Sequence, residues 1–184
     1  MKKFQLLLLD AGPVIKLFEM GLWDRIIEKC DITITRTVAE KEVIFVQKDS
    51  GKEYIDLIPY ENKGLKIIDV SPKIVSDFFG KFDLCYQPII DDGEKETLAF
   101  LADSPEKWIV CSSDAIVYKI LANLNKTEQG ISLEELLQQT GLGSGINWKN
   151  VTPKDPKNWK YSKAFREKYT REGQIDSIQN KGLK

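Results

Sequence analysis

The stretch that most constrains the fold is Leu6-Leu7-Leu8-Leu9-Asp10. Four consecutive leucines predict a strand that is buried on both faces, as in the middle of a parallel sheet. Pro13 suits the first turn of a helix, and helically spaced apolar residues continue to about Lys29. Ligands of open α/β sheets bind beyond the carboxyl ends of the strands, so Asp10 lies where a site is expected.

The rest of the chain alternates apolar runs with helical patterns. Further strands are predicted at 32–35, 65–70 and 108–111, while 53–62 is compatible with either a strand or a loop. Helices are expected from Thr37 with Glu40 as its capping-box partner, from Ser71-Pro72, after Asp91, over 115–123, from Ser132 and over 164–171. This alternation predicts an α/β protein with a mostly parallel central sheet.

The chain contains no histidine, although 42% of its residues are apolar as in an ordinary globular protein. The absence of histidine excludes Ser-His and Cys-His nucleophilic sites and histidine-rich zinc sites. Any general base or metal ligand must therefore be a carboxylate, which suits hard cations such as Mg²⁺ or Mn²⁺.

Three cysteines without paired spacing, Cys30, Cys85 and Cys111, indicate free thiols in a reducing compartment. With no signal peptide or membrane span predicted, we expect a cytoplasmic protein that does not contact a membrane.

Charge divides the chain into an acidic body and a basic end. From Asn147 onward there are 10 Lys/Arg against 4 Asp/Glu, although the whole chain has a net charge of -1. We therefore predict a domain over 1–146 and a basic extension over 147–184. The extension interleaves lysines and arginines with Trp159, Tyr161, Phe165 and Tyr169. It would either follow a nucleic-acid backbone and stack on bases, or pack over the domain.

Four carboxylates occupy similar places in the predicted elements. Asp10 and Asp114 follow buried strands, and Glu40 and Glu94 lie in the first turns of helices. Strand ends and the starts of the following helices share one edge of a parallel sheet, so the four side chains are expected to converge. Clustered carboxylates repel one another unless cations bind them, and such cations activate water for phosphodiester cleavage. Taken singly, Glu40, Glu94 and Glu96 are explained better by helix capping or by interaction with the helix dipole.

Four segments together resemble the PIN-domain family, particularly its small prokaryotic members that include toxins of toxin–antitoxin pairs. The segments are 7–15, 37–40, 91–102 and 109–115, and the resemblance covers roughly residues 4 to 125. It implies a three-layer α/β/α fold and a Mg²⁺- or Mn²⁺-dependent endoribonuclease that cleaves single-stranded RNA. An antitoxin protein and a second copy of the chain are the partners it implies.

The resemblance also implies roles for individual residues. Asp10, Glu94 and Asp114 would bind the metal, and Glu40 would complete the catalytic set. Ser112 would line the site, and we expect Lys16 and Arg36 to contact the RNA. Two choices stay open: which of Asp91, Asp92, Glu94 and Glu96 approaches the metal, and whether Glu40 or Glu42 does.

An alternative from another functional class is a PIN-like module that binds RNA or a protein without cutting it. Gly12 and the basic extension both allow this alternative, since the family usually has Asn or Ser two residues after the first aspartate. Three other classes fit less well. A receiver domain needs adjacent acids after the first strand, a haloacid-dehalogenase-type phosphatase needs an aspartate at position 12, and a Rossmann unit needs more glycines in the first turn.

Overall fold

The computed structural model describes residues 4–43, 45–48, 51–81, 90–143 and 145–179. Within these ranges the chain forms a central five-stranded parallel sheet with helices on both faces. The sheet strands are β1 (Phe4–Leu9), β2 (Cys30–Thr35), β5 (Leu65–Ile68), β6 (Ile109–Cys111) and β7 (Gly130–Ile131). A separate antiparallel hairpin comprises β3 (Phe45–Lys48) and β4 (Gly51–Tyr54). The predicted three-layer α/β architecture with a parallel sheet is confirmed.

The strand order is β5-β2-β1-β6-β7, and every neighbouring pair is parallel. The chain therefore builds outward from β1 through β2 to β5, then returns to the other side of β1 to form β6 and β7. A topological switch point results between β1 and β6, where the two directions of winding diverge. Open α/β sheets bind ligands at such a point, beyond the carboxyl ends of the strands.

Helices cover the sheet in two layers. The helices are α1 (Ala11–Glu19), α2 (Trp23–Lys29), α3 (Pro72–Phe79), α4 (Asp92–Asp103), α5 (Ala115–Asn123), α6 (Leu133–Gln139), α7 (Pro156–Trp159) and α8 (Lys163–Ile178). The apolar faces of α1, α2 and α6 form a first core with one face of the sheet. The faces of α3, α4, α5 and α8 form a second core with the other.

Strand β1 belongs to both cores. Leu7 and Leu9 pack in the first core and Leu8 packs in the second, and all three are 0% exposed. Successive side chains of a strand point to opposite faces, so a strand between two helix layers needs apolar residues at every position. The leucine run is thus explained by burial on both sides, as predicted.

Two of the predicted helices differ from the structure. The single helix expected up to Lys29 is two helices, because Gly21 adopts a positive φ of 63° between them and ends α1. The helix expected after Thr37 is a five-residue π-helical turn, Val38–Glu42. Thr37 is itself helical and makes no capping bond; its hydroxyl donates instead to Oε1 of Glu96 at 2.7 Å. The predicted capping box of Thr37 and Glu40 is therefore wrong.

Other helix starts agree with the sequence. Ser71 accepts a hydrogen bond from the backbone N–H of Lys73, and Ser132 forms a capping box with Glu135. Elements that were not predicted include the hairpin of β3 and β4, which packs against α1, the two-residue strand β7 and the short helix α7.

The predicted basic extension packs over the rest of the fold along its described length, 147–179. Helix α8 lies on α5, and Phe165 and Tyr161 are buried in the second and first cores. Arg166 makes a paired salt bridge with Glu135, with nitrogen–oxygen distances of 2.7 and 2.8 Å. Buried Tyr161 and Phe165 are not available to stack on bases, so the packed alternative describes this segment.

Two further observations concern the cysteines and the character of the helices. Cys111 is a buried free thiol, as expected, and Cys30 is buried as well, whereas Cys85 lies outside the described residues. Across the described ranges, none of the helices has the length and apolar character needed to span a bilayer.

Candidate active site

The candidate site lies at the switch point, where β1 and β6 end side by side. The register pairs Leu9 with Cys111, and the N–H of Asp10 donates to the carbonyl of Cys111 at 3.1 Å. Asp10 therefore lies opposite Ser112. The Ser112 hydroxyl donates to Oδ2 of Asp10 at 2.7 Å and accepts from the N–H of Asp114 at 2.9 Å. One buried hydroxyl thus connects the two predicted strand-end aspartates.

The other acidic residues at this edge come from the start of α4 and from the π-helical turn. Asp91 caps α4, and its side chain and that of Glu94 form a reciprocal capping box. Glu42 reaches the same place from the π-helical turn, where its Oε1 accepts from the N–H of Gly93 at 2.9 Å. A β-carbon at residue 93 would lie 2.3 Å from Oε2 of Glu42, so glycine is needed for this approach.

The five carboxyl groups of Asp10, Glu42, Asp91, Glu94 and Asp114 form what we call the acidic cluster. Asp10 and Glu94 are 5% and 3% exposed and form its floor. Glu42 is half-buried, and Asp91 and Asp114 are exposed at the rim. Burial together with like charge makes a fully ionised cluster unfavourable.

The pKa values of the inner members record this unfavourable environment. Burial, followed by the charges of Asp114, Asp10 and Asp91, raises the pKa of Glu94 to about 9. Burial raises the pKa of Asp10 to about 6, although hydrogen bonds from Ser112 and from the N–H of Ala11 oppose the rise. Burial and then the charge of Asp91 raise the pKa of Glu42 to about 7. The cluster therefore favours bound protons or cations over free carboxylates.

Helix capping explains part of the same geometry. Asp10 accepts from the N–H of Ala11, Asp91 from that of Glu94, and Asp114 from that of Ile116. Each carboxylate thus stabilises the start of α1, α4 or α5. Capping alone does not explain Glu42, because its Oε2 is buried and its carboxyl is in hydrogen-bond contact with the carboxyl of Asp91.

The donor atoms of the cluster suit a hard divalent cation, since they are carboxylate oxygens and one of them, Oε2 of Glu42, is buried. Their placement does not yet form a ligand set. In the part of the chain that the structure describes, no group of three or more His, Cys, Asp or Glu residues is arranged so that it could hold a metal ion. A cation would therefore require side chains of the cluster to turn toward it.

The structure places three predicted site residues away from the cluster or out of reach. Glu40 forms an ion pair with Arg36 at 2.8 Å, and Arg36 also makes a two-pronged contact with Asp69 at the end of β5. Lys16 is 6% exposed, and its ammonium lies 3.1 Å from Glu19 and 5.6 Å from the centre of the Tyr161 ring. For Arg36 to contact a substrate, Glu40 and Asp69 would have to be displaced. For Lys16 to do so, Glu19 would have to be displaced.

For the two choices that the sequence left open, the structure shows which residues belong to the cluster. Glu42 rather than Glu40 contributes to the cluster, and Asp91 and Glu94 do so rather than Asp92 and Glu96. Asp92 pairs with Lys95 at 3.1 Å, and Glu96 bonds to Thr37. Ser112 is fully buried, so its observed part is to position Asp10 and Asp114 and not to line an open surface.

Sequence reasoning did not identify Tyr161 at the site. Its hydroxyl donates to the carbonyl of Gly12 at 3.3 Å, from 149 residues further along the chain. Nothing local marks this tyrosine, because its position depends on how 147–179 packs.

A cavity of about 600 Å³ lies at the amino ends of the sheet strands, opposite the edge that carries the acidic cluster. Its lining includes Asp31, Lys66 and Trp108. None of the predicted site residues is among its described lining. The acidic cluster is therefore the candidate site, because its titratable groups lie at the topological switch point of the sheet.

Comparison with models of known protein families, with curated proteins and with solved structures found no match to this chain.

Proposed function

We propose that this protein is a metal-dependent endoribonuclease of PIN type that cleaves single-stranded RNA. The observation that carries the proposal is the acidic cluster: five carboxyl groups from four separate segments meet at the switch point of a parallel sheet. A structural role alone would place caps at three helix starts without bringing the carboxyl of Glu42, which is the N-cap residue of no helix in the described residues, against the carboxyl of Asp91. The high pKa values of Glu94 and Glu42 support a site that is incomplete without positive charge.

In this proposal Asp10, Glu42, Glu94 and Asp114 would hold Mg²⁺ or Mn²⁺, with Asp91 beside them at the rim. The bound ions would activate water and stabilise the leaving oxygen of the phosphodiester. The protein's own contribution is positional. Ser112 holds Asp10 toward Asp114, Gly93 admits Glu42, and the capping box fixes Glu94.

The test is cleavage of an end-labelled single-stranded RNA with Mg²⁺ or Mn²⁺, compared with EDTA. Asp10→Asn should lower the rate by about a hundredfold or more, because an amide is a weaker ligand than a carboxylate. The matched control is Asp92→Asn, which removes one acidic charge at the start of α4 but lies outside the cluster. Equal rates for wild type and Asp10→Asn, or undiminished cleavage in EDTA, would contradict the proposal.

A second candidate function is RNA or protein binding without cleavage. The arrangement that favours it is the capping of three helices by Asp10, Asp91 and Asp114, together with the absence of a ready ligand group for a metal in the described ranges. This candidate predicts RNA affinity in EDTA that Asp10→Asn leaves unchanged. The toxin role, an antitoxin, a second copy of the chain and a cytoplasmic location stay predictions from the sequence.

A further inference from the structure

Next to the acidic cluster, the start of α1 is in contact with the C-terminal segment through Tyr161. The tyrosine is 5% exposed, and its hydroxyl donates to the carbonyl of Gly12, two residues after Asp10. The Ser113 hydroxyl also faces the phenol and opposes part of the rise in the pKa of Tyr161 that burial causes. The phenol group therefore joins the turn after β1 to the turn after β6.

Gly12 permits this arrangement because it has no side chain. A β-carbon at position 12 would lie 1.9 Å from Oγ of Ser113 and 3.9 Å from Cε1 of Tyr161. The space that a larger residue would occupy is therefore filled by a serine hydroxyl from the other strand end. As a result, the Asp10–Gly12 turn is positioned by groups from β6 and from the C-terminal segment.

Tyr161 is held in place from the side of α6. Its carbonyl accepts from the N–H of Glu134 at 3.1 Å, and Oε2 of Glu134 accepts from the N–H of Lys163 at 2.7 Å. The neighbouring Glu135 binds Arg166, so two residues of α6 form hydrogen bonds with residues 161–166. These bonds fix the position of Tyr161 relative to the first turn of α1.

We infer that Tyr161 is a positioning residue for the proposed reaction, acting through the Gly12 carbonyl on the turn that carries Asp10. The inference rests on the proposed function for its catalytic part only. Preorganised sites hold their reacting groups within about 0.5–1 Å of the productive geometry. Comparable freedom in the segment that carries Asp10 should therefore lower the rate.

The test uses Tyr161→Phe, which removes one oxygen and keeps the ring. Its matched control is Tyr169→Phe, which removes the same atom from α8. The first measurement is hydrogen–deuterium exchange of a peptide covering residues 9–17. Tyr161→Phe should exchange about 5- to 10-fold faster than the control there, the effect of losing one hydrogen bond. Equal exchange would overturn the inference, whether or not the protein cuts RNA.

The second measurement is cleavage kinetics of the full chain with Mn²⁺. Tyr161→Phe should lower kcat by about tenfold and leave KM within about twofold, because only the geometry of Asp10 changes. A thermal unfolding midpoint close to that of Tyr169→Phe would show that the loss is not one of folding. Faster exchange with unchanged kcat would overturn the catalytic role. If the wild type cuts no RNA, the proposed function fails, and the exchange measurement still decides whether Tyr161 holds the turn.

Discussion

Ser112 donates its hydroxyl proton to Oδ2 of Asp10 at 2.7 Å, between residues that are 102 positions apart in the chain. Both side chains are buried. The bond ties the end of β1 to the end of β6 and also lowers the pKa of Asp10 against the effect of burial. It combines a contribution to stability with control of the charge at the centre of the acidic cluster.

Ser112→Ala should lower the free energy of unfolding by about 1–3 kcal/mol, because it leaves a buried carboxylate oxygen and the N–H of Asp114 without their partner. Urea unfolding near neutral pH measures the change. Ser177→Ala, on the exposed face of α8, is the control and should stay within about 0.5 kcal/mol of wild type. Equal stability of the two variants would mean that the hydroxyl does not hold Asp10.

The acidic cluster should make stability fall with rising pH in metal-free buffer. In the folded protein the pKa values of Asp10, Glu42 and Glu94 are raised to about 6, about 7 and about 9. The same groups titrate near about pH 4 when unfolded. Between these limits the folded state holds more protons than the unfolded state, so the free energy of unfolding decreases as pH rises.

Glu94→Gln isolates this effect, because it replaces the group with the largest rise by a neutral side chain. The variant should gain about 1–3 kcal/mol relative to wild type between about pH 5 and about pH 9, measured by urea unfolding. Glu128→Gln, at an exposed position, should follow the wild-type curve. A wild-type curve that stays parallel to that of Glu94→Gln would mean that Glu94 is ionised in the folded protein throughout.

Glu42 and Glu40 provide a matched pair for identifying the glutamate of the site. Glu42→Gln should lower Mn²⁺ affinity and RNA cleavage by about tenfold or more, because Glu42 belongs to the cluster. Glu40→Gln should leave both near wild type, because that carboxylate pairs with Arg36 on the surface. Titration calorimetry and the cleavage assay measure the two quantities. The reverse ranking would restore the assignment made from the sequence.

Helix α8 depends on a glycine where it crosses α5. A β-carbon at Gly173 would lie 2.5 Å from the Cα and from the carbonyl oxygen of Lys119. Gly173→Ala should therefore force the helices apart and cost about 1–3 kcal/mol, as overpacking does elsewhere. The control is Gly143→Ala, since nothing lies within 4 Å of a β-carbon there. Thermal unfolding compares them, and equal midpoints would indicate that α8 is only loosely docked.

The elements that the sequence predicts well are those whose signals are local. The leucines of β1, the serines that cap α3 and α6, and the apolar face of α5 each depend on residues close together in the chain. The single helix predicted up to Lys29 was wrong because apolar spacing continues across Gly21, whose positive φ redirects the chain. The hairpin of β3 and β4 was missed because its short strands are mostly exposed, apart from Val46.

In the candidate site, too, the residues that the sequence points to are those with local signals. Asp10 and Asp114 were recognisable because each follows a buried strand. The distinction between Glu40 and Glu42 depends on the π-helical turn, which is wider than an α-helical turn and points the second glutamate at the N–H of Gly93. No spacing rule for an ordinary helix would choose between them. Tyr161 depends on a contact across 149 residues, which only the packed structure supplies.

The attachment of residues 161–173 to α5, α6 and Gly12 has a consequence for the order of events in synthesis. A nascent chain that has reached β7 already contains every strand of the parallel sheet, but it lacks Phe165 in one core and Tyr161 in the other. The turn that carries Asp10 then has no partner on its open side. The five strands of the sheet are therefore synthesised before residues 161–173, so the segment that carries Asp10 gains its contact with Tyr161 only after these residues have left the ribosome and docked.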